Sequence, residues 1–523
     1  MDARDGRGGL RAAARRGAVC PRRPEVSAPF PSFASSCGPM PGRLPRSTGP
    51  GCHYKPRRAA RKQSGEPGRR GNACKIGPAG AYWGAMGSLG GAQADAGARR
   101  VPGVTLTEGQ AMRVTRRELI GTAAGAAMAA AAARAGAQDG TPVRVGLVGC
   151  GGRGTGAAQN ILEGVPNCEI LALADMFPDR LNRARTALTK SNDPRVKIED
   201  ARCFTGFDAC RRLLDTPVDY VILAQPPGFR PPHFELAVEA GKHVFLEKPV
   251  AVDPAGVRRV IAAGAKAKAK NLGVHASTEN RHNRKMEETV RRIHDGQIGK
   301  VVAGRCFFNT GGLWKFERKP GESDMEWQIR NWYYFDWLSG DHIVEQHVHE
   351  LDVCHWVLKA PPVRAVAVGG RSQRVEPVYG NIWDHFAVDF EFPDNVHVMS
   401  MCRQWQNTDG HVGAYFVGTK GEASVYGGTI TGENPWKYDG NMISPHVQEH
   451  IDFVESIRSG TPYNRATQVA YSTLIAILGR TAAYTGKVVT WDQVLNADQD
   501  YSPPAYAFGD LPVRPVPVPG KKA

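Results

Sequence analysis

The stretch VRVGLVGCGGRGTGAAQNILEG, residues 143–164, decides the fold. Val143 to Val148 is an apolar run of β type, and Ala157, Ala158, Ile161 and Leu162 then recur at helical spacing. Between them, Gly149-Cys150-Gly151-Gly152-Arg153-Gly154 satisfies G-x-G-x-x-G through glycines 149, 151 and 154. The first glycine permits a tight turn and the second lets backbone approach a pyrophosphate. The third lets helix pack on strand, so that a diphosphate meets free N–H groups at a helix N-terminus. A second apolar run, Glu169 to Ala174, ends in Asp175, 21 residues beyond Gly154, where a carboxylate accepts hydrogen bonds from the adenosine ribose. Strand, glycine turn, helix, strand and acid together predict a dinucleotide-binding unit. Asp175 favours NAD over NADP, because it would repel a 2′-phosphate.

Downstream the pattern continues as a doubly wound parallel sheet. Val218 to Ala224 reads as a buried strand ending in Gln225-Pro226-Pro227, placed to line the cofactor. A helix from about 232 to 240 leads to His243-Val244-Phe245-Leu246 and then Glu247-Lys248-Pro249, at the edge where such sheets bind ligands. Gly149, Gly151, Gly152, Arg153, Gly154, Asp175, Gln225 and Glu247 are therefore the candidate cofactor-binding residues. Beyond residue 273 the alternation changes. Segments 301–309, 363–368, 385–392, 396–403, 414–417 and 422–426 read as strands of a mostly antiparallel sheet, followed by helices at about 445–459 and 467–485. The expected fold class is α/β: a Rossmann domain over 138–273, then an α+β domain over 274–501 with a large, open-faced, mostly antiparallel sheet. A Pro-rich tail, 502–523, has no core of its own.

Upstream the composition is different. The chain of 523 residues carries a net charge of +16, but residues 1–137 alone hold 23 Lys/Arg and 7 Asp/Glu. The remaining 386 residues have 44 of each sign, so a basic surface for nucleic acid has no compositional support there. Residues 1–111, rich in Arg, Gly, Pro and Ala without apolar period, read as a disordered leader. From Met112 to Ala137 a basic start with Arg116-Arg117, a Gly/Ala-rich apolar run and small residues follow the plan of a secretory signal. Thr-Arg-Arg-Glu-Leu-Ile there resembles the twin-arginine motif, which predicts a periplasmic or otherwise exported protein, with no stable membrane insertion. The body's seven cysteines show no C-x-x-C spacing and read as reduced, mostly buried thiols.

At Gly-Lys-His-Val-Phe-Leu-Glu-Lys-Pro, 241–249, the sequence resembles the glucose–fructose oxidoreductase, inositol dehydrogenase and rhizopine-catabolism (Gfo/Idh/MocA) family, over about 142–492. The resemblance implies a catalytic role for Lys248, beside the substrate hydroxyl and the nicotinamide, where an ammonium can share or relay the alcohol proton. The family's second motif corresponds to Ser339–Asp352: His349 matches its histidine and Asp352 its trailing acid, while Glu345 replaces its aspartate and His347 a glycine. On one helix, 341, 345, 349 and 352 would share a face, so Glu345 is expected to orient His349 as proton acceptor. A metal site built from His342, Glu345, His347 and His349 is disfavoured, because residues two apart on a helix point away from each other. No metal is expected.

Aromatic segments around Gly312-Leu313-Trp314 and over 330–337 offer flat faces interleaved with polar groups, which suit a carbohydrate. Arg281, His282, Trp314, Arg330 and Trp332 are the candidate substrate-pocket residues. The expected activity is hydride transfer between a sugar or polyol hydroxyl carbon and tightly held NAD, since free NAD is scarce outside the cytoplasm. Two alternatives compete: a redox-neutral glycosidase or lyase acting through a keto-sugar, as in related family members, and a non-catalytic sugar sensor. The expected partners are the small-molecule carbohydrate and a second copy of the chain, docked through the C-terminal sheet.

Overall fold

The computed structural model describes residues 140–521; residues 1–139, with the segments expected to be a leader and an export signal, and residues 522–523 lie outside the described residues. Strands β1 (Val143–Val148), β2 (Cys168–Asp175), β3 (Cys203–Thr205), β4 (Tyr220–Leu223), β5 (His243–Leu246) and β6 (Val274–Ala276) form one sheet in the order β3-β2-β1-β4-β5-β6. Every pairing in it is parallel. Parallel strands need helical crossovers, which cover both faces, and this is why these strands are continuous apolar runs. Tyr220, Val221, Ile222 and Leu223 are all fully buried. Each such Val, Ile or Leu contributes roughly 1.5–3 kcal/mol by leaving water. The order reverses between β1 and β4, and that switch point opens the crevice in which Rossmann sheets bind nucleotides.

The second sheet comprises β7 (Val301–Thr310), β8 (Arg364–Gly370), β9 (His385–Phe392), β10 (Val396–Gln404), β11 (His411–Gly418), β12 (Gly421–Ser424), β13 (Thr429–Gly432), β14 (Trp436–Lys437) and β15 (Val489–Thr490). Its order is β14-β13-β12-β11-β7-β10-β9-β8-β15, antiparallel except where β7 meets β10. Alternation sets its two faces: Phe386, Val388, Phe390 and Phe392 of β9 are buried, as are Val396, Val398 and Cys402 of β10. The opposite face leaves Val366, Val368 and Met399 exposed. The helix Ala466–Thr485 packs along the covered face and also meets the helix Pro254–Ala269 of the first sheet, joining the two layers. Among the described residues no helix is long and apolar enough to cross a membrane, and all seven cysteines are free thiols.

One local expectation is corrected. Residues 341–352 are not one helix: His342–Glu345 forms a single turn and Val348–Leu358 a second helix. Asp341 starts the turn at φ 75, its carboxylate accepting from His342 N, Trp383 N and Tyr484 OH. His347 is drawn into the core between Ser400 (2.6 Å) and Glu350 (3.2 Å). That anchoring breaks the helical register between 345 and 348, so the side chains at 341, 345, 349 and 352 do not share a face.

Candidate active site

The nucleotide crevice follows from its glycines. A Cβ on Gly149 would lie 2.4 Å from Gln225 N, and one on Gly154 would lie 1.9 Å from Gly149 O, so the turn closes onto β4 only with glycine at both positions. At Gly151 and Gly152 a Cβ would meet nothing within 4 Å. That open space faces the start of the helix Gly152–Gly164, whose cap makes no side-chain hydrogen bond. Its first N–H groups are thus free for a diphosphate. Asp175 closes the far side: Oδ2 accepts from Cys150 N (2.7 Å) and Oδ1 from Phe177 N (2.9 Å), leaving lone pairs for ribose hydroxyls. Burial pushes the Asp175 carboxyl pKa up, against those backbone donors.

Beyond Asp175 lies a cleft of about 210 Å³, lined by Gln225, Phe177, Phe207 and Phe229 among others. Both polar atoms of the Gln225 amide are buried without a partner, as is His233 Nδ1, and both residues line this cleft. An orphaned buried polar atom costs about 1–3 kcal/mol. A nucleotide in the cleft would offer these atoms partners, so the residues fit the cofactor their sequence predicts. Arg153 is not free to meet a phosphate alone: its Nε lies 3.0 Å from Oε1 of Glu247, which is 2% exposed and also accepts from Ser277 Oγ (3.0 Å). Glu247 thereby ties the glycine turn to the strand end that carries Lys248.

Lys248 reaches across to the second domain. Its Nζ donates to the backbone oxygen of Glu345 (2.6 Å) and to Glu345 Oε1 (3.2 Å), with side-chain exposures of 11% and 8%. Two of the three ammonium donors are engaged and the third remains for a substrate oxygen. Glu345 does not orient His349, which corrects the sequence expectation. The acid beside His349 is Glu279, whose Oε1 lies 3.3 Å from Nδ1. Asp352 is likewise turned away: it holds Arg281 through two bonds (2.8 and 3.0 Å) and accepts from Ser472 Oγ (2.7 Å).

Electrostatics separate these groups. Burial, then the Lys248 ammonium and His446, push the His349 pKa well below that of an ordinary histidine, so the ring is neutral. Burial and the nearby Glu449 carboxylate raise Glu279 to about 7. Burial also opposes the charge on Glu449, but hydrogen bonds from His275 (3.2 Å) and His446 (3.4 Å) overcome it and hold its pKa far below the usual range. His275 is itself pushed down by burial to about 4. A neutral His275 with Nε2–H toward Glu449 accepts at Nδ1 from Tyr463 OH (2.9 Å). Glu279, Ser277, His275, His446 and Glu449 were not among the sequence candidates. The signal was present in Val-His-Ala-Ser-Thr-Glu, 274–279, a polar run leaving the C-terminal end of a parallel strand.

The substrate candidates divide. Arg281, braced by Asp352 and stacked 5.1 Å over Trp356, is a structural link, and His282 is paired with Asp452 at 2.6 Å. Arg330 lies 3.7 Å over the Phe177 ring and contacts Asp179 and Glu326, at the nucleotide cleft. Each of these three side chains thus already has a carboxylate partner. Trp314 and Trp332 do come together, with ring centroids 5.9 Å apart, and Trp314 is 42% exposed. The alternative metal set is dispersed, since His347 is held by Ser400 and Glu350. No group of three possible metal ligands occurs among the described residues.

A parallel nucleotide domain whose strand ends meet a mostly antiparallel sheet, with a lysine and a neutral histidine at the seam, defines a two-domain NAD-binding protein of the Rossmann type. Residues 143–275 match the oxidoreductase family with the NAD-binding Rossmann fold, and 286–424 match the GFO/IDH/MocA C-terminal domain. The chain belongs to the Gfo/Idh/MocA family. It is similar to a glycosyl hydrolase family 109 protein of Saccharopolyspora erythraea, 29% identical over 163 residues, which are 31% of this chain and 34% of that protein. It is also similar to inositol 2-dehydrogenase of Acidothermus cellulolyticus, 27% identical over 237 residues, 45% of this chain and 59% of that one. The chain thus spans about a third of the length of the first of these curated relatives and under two thirds of the second. Among solved structures, scyllo-inositol dehydrogenase from Lactobacillus casei with bound NAD(H) and scyllo-inositol superposes with a TM-score of 0.53 at 19% identity, over 67% of this chain and all of that one. That likeness establishes the fold.

Proposed function

We propose that the protein is an NAD-dependent oxidoreductase acting on a secondary hydroxyl of a sugar or polyol. The observation that carries this reading is the pairing of a nearly buried ammonium, Lys248, with one donor to spare, and a histidine kept neutral beside it. NAD, when bound in the Rossmann crevice, supplies the hydride acceptor and donor. Lys248 directs its remaining N–H at the substrate oxygen and stabilises negative charge that develops there. His349, with Nδ1–H toward Glu279, presents Nε2 as acceptor of the alcohol proton. Glu345 fixes Lys248 rather than the histidine. Trp314 and Trp332 offer an apolar wall to the C–H face of a ring.

A second reading has specific support. Several relatives are named glycosyl hydrolase family 109 proteins, and Glu279, at a pKa of about 7, is a second group able to take or give a proton near neutrality. Oxidation at one carbon needs one proton acceptor. Elimination of the aglycone needs another for the acidified neighbouring C–H, and addition of water to the resulting double bond before re-reduction completes a redox-neutral glycosidase, the competing activity. We also read the chain as exported with its nucleotide bound, on the strength of residues 112–137, and as a homo-oligomer through the exposed sheet face that carries Val366, Val368 and Met399.

The test begins with denaturing the purified protein and assaying the supernatant for NAD(H). A sugar and polyol panel is then followed by nucleotide absorbance, with an aryl glycoside run without added NAD. Reduction of the bound nucleotide by a polyol or sugar supports the oxidoreductase. Aglycone release supports the redox-neutral glycosidase. Neither signal from a nucleotide-loaded protein would refute both.

A further inference from the structure

The C-terminal segment beyond residue 498 crosses the nucleotide cleft. Upstream of the crossing, Ala255 N donates to Gln499 O (3.3 Å) and Tyr501 N to Asp253 Oδ2 (2.7 Å). Downstream, Met325 N donates to Gly509 O (3.1 Å), Leu511 N to Asp324 Oδ2 (3.1 Å) and Arg514 Nη2 to Asp336 Oδ1 (2.6 Å). Residues 502–508 therefore hang between two sets of anchors. Tyr506 lines the cleft itself, together with Asp175, Phe177 and Gln225, and its ring stands 5.5 Å from Phe229. Phe508 sits 5.1 Å from Phe207 and stacks on Phe177 at 6.2 Å with an interplanar angle of 19°. Tyr506 is 38% and Phe508 50% exposed, so two aromatic faces are held at the cleft rim without being covered.

We propose that Tyr506 and Phe508 are cofactor-binding residues, and that this strap closes the adenosine subsite and slows nucleotide release. The proposal rests on NAD binding in the Rossmann crevice. The diphosphate position at Gly151 and the ribose position at Asp175 fix the direction in which the nucleotide runs. The base beyond Asp175 is the adenine, while the nicotinamide lies toward Lys248. A planar purine next to Phe177, Phe207 and Tyr506 gains stacking contacts that the diphosphate and ribose cannot supply. The matched family domains end at residue 424, upstream of the strap.

The test uses the full chain with Tyr506→Ala, Phe508→Ala and the double substitution, with Tyr506→Phe and Phe508→Tyr as conservative controls. Calorimetry measures NAD, ADP-ribose and nicotinamide mononucleotide, and stopped-flow fluorescence measures NADH release. The expected result is that each alanine variant weakens NAD and ADP-ribose by about tenfold, mainly through faster release. Binding of nicotinamide mononucleotide should be unchanged, and the controls should behave as wild type. If an alanine variant fails to fold, leucine at the same position keeps the apolar anchor while removing the flat face. Wild-type affinities and release rates in folded variants would overturn the strap assignment, as would equal losses for nicotinamide mononucleotide. A wild-type protein that binds neither NAD nor ADP-ribose would instead overturn the nucleotide reading beneath it.

Discussion

Replacing Glu279 by Gln should make the protein more stable and less active, and the size of the first effect follows from its surroundings. The Glu279 carboxyl titrates at about 7 instead of 4.5, chiefly because it is buried and secondly because Glu449 lies nearby. Raised in the folded state, its proton is held more tightly there than in the unfolded chain. Stability contributed by the proton is complete below pH 4.5 and is lost as pH rises through 7. A difference of this size corresponds to about 3 kcal/mol above pH 8. Glutamine never ionises, so the variant avoids that loss while keeping a side chain of the same shape beside His349. Thermal unfolding across pH 4.5–8.5 should give nearly equal midpoints at the acid end. Above pH 7 the variant should lead by about 4 °C, given the unfolding entropy of a body this long. Turnover should fall about 10²-fold, because the amide cannot stabilise a protonated His349 as a carboxylate does. A midpoint difference independent of pH, or a wild type more stable at pH 8, would refute the burial argument. An unchanged turnover with its acid limb intact would refute the pairing of Glu279 with His349.

The other expectations test the remaining parts of the site. Lys248→Ala should retain nucleotide after gel filtration yet lose about 10³-fold in turnover. In the same variant the His349 ring should titrate closer to an ordinary histidine by NMR, because one of the positive charges depressing it is gone. Glu345→Gln removes one partner of a nearly buried ion pair, but the backbone acceptor at 2.6 Å remains, so chemical denaturation should show a loss of about 1–3 kcal/mol rather than the full cost of a stranded charge. Asp175→Ala should weaken NAD by about 10–100-fold in calorimetry and narrow the preference over NADP, since both the ribose acceptor and the charge that repels a 2′-phosphate are lost.

What the sequence made legible was whatever is local. Gly149, Gly154 and Asp175 belong to one strand–turn–helix–strand unit, so their spacing carries the geometry. Long runs such as β9 and β10 announce their alternation, whereas β14 and β15, two residues each, have no period to detect. The catalytic seam was only half legible. Lys248 and His349 were found through motif resemblance, but the acid beside each depends on folding that no spacing records. Lys248 finds Glu345 97 residues away, and Glu279 meets a histidine on a different helix. The misassignment of Glu345 has one physical cause. His347, in place of a glycine, is buried against Ser400, which interrupts the helix on which the expected face depended. Arg281 shows the same limit: the carboxylate that holds it lies 71 residues on, where no spacing announces it.

The charge arrangement explains why this seam suits hydride transfer better than simple binding. Lys248 and Arg153 are each matched by a buried glutamate, Glu345 and Glu247, so the two cations enter the reaction already balanced. His349 is the group left to change charge, and its surroundings disfavour the cation through burial and through Lys248. Taking the alcohol proton would place a second positive charge beside that ammonium in a poorly solvated site, which is costly unless positive charge is lost nearby in the same event. Departure of the hydride to an oxidised nicotinamide removes a positive charge from the same space. The net charge is the same on any route, but proton loss alone would leave an alkoxide beside the imidazolium and hydride loss alone a protonated carbonyl, so leaving together avoids a separated charge pair in a poorly solvated site. On the proposed reading, His349 held neutral beside Lys248 and Glu279 near neutrality behind it are the groups that would move the alcohol proton.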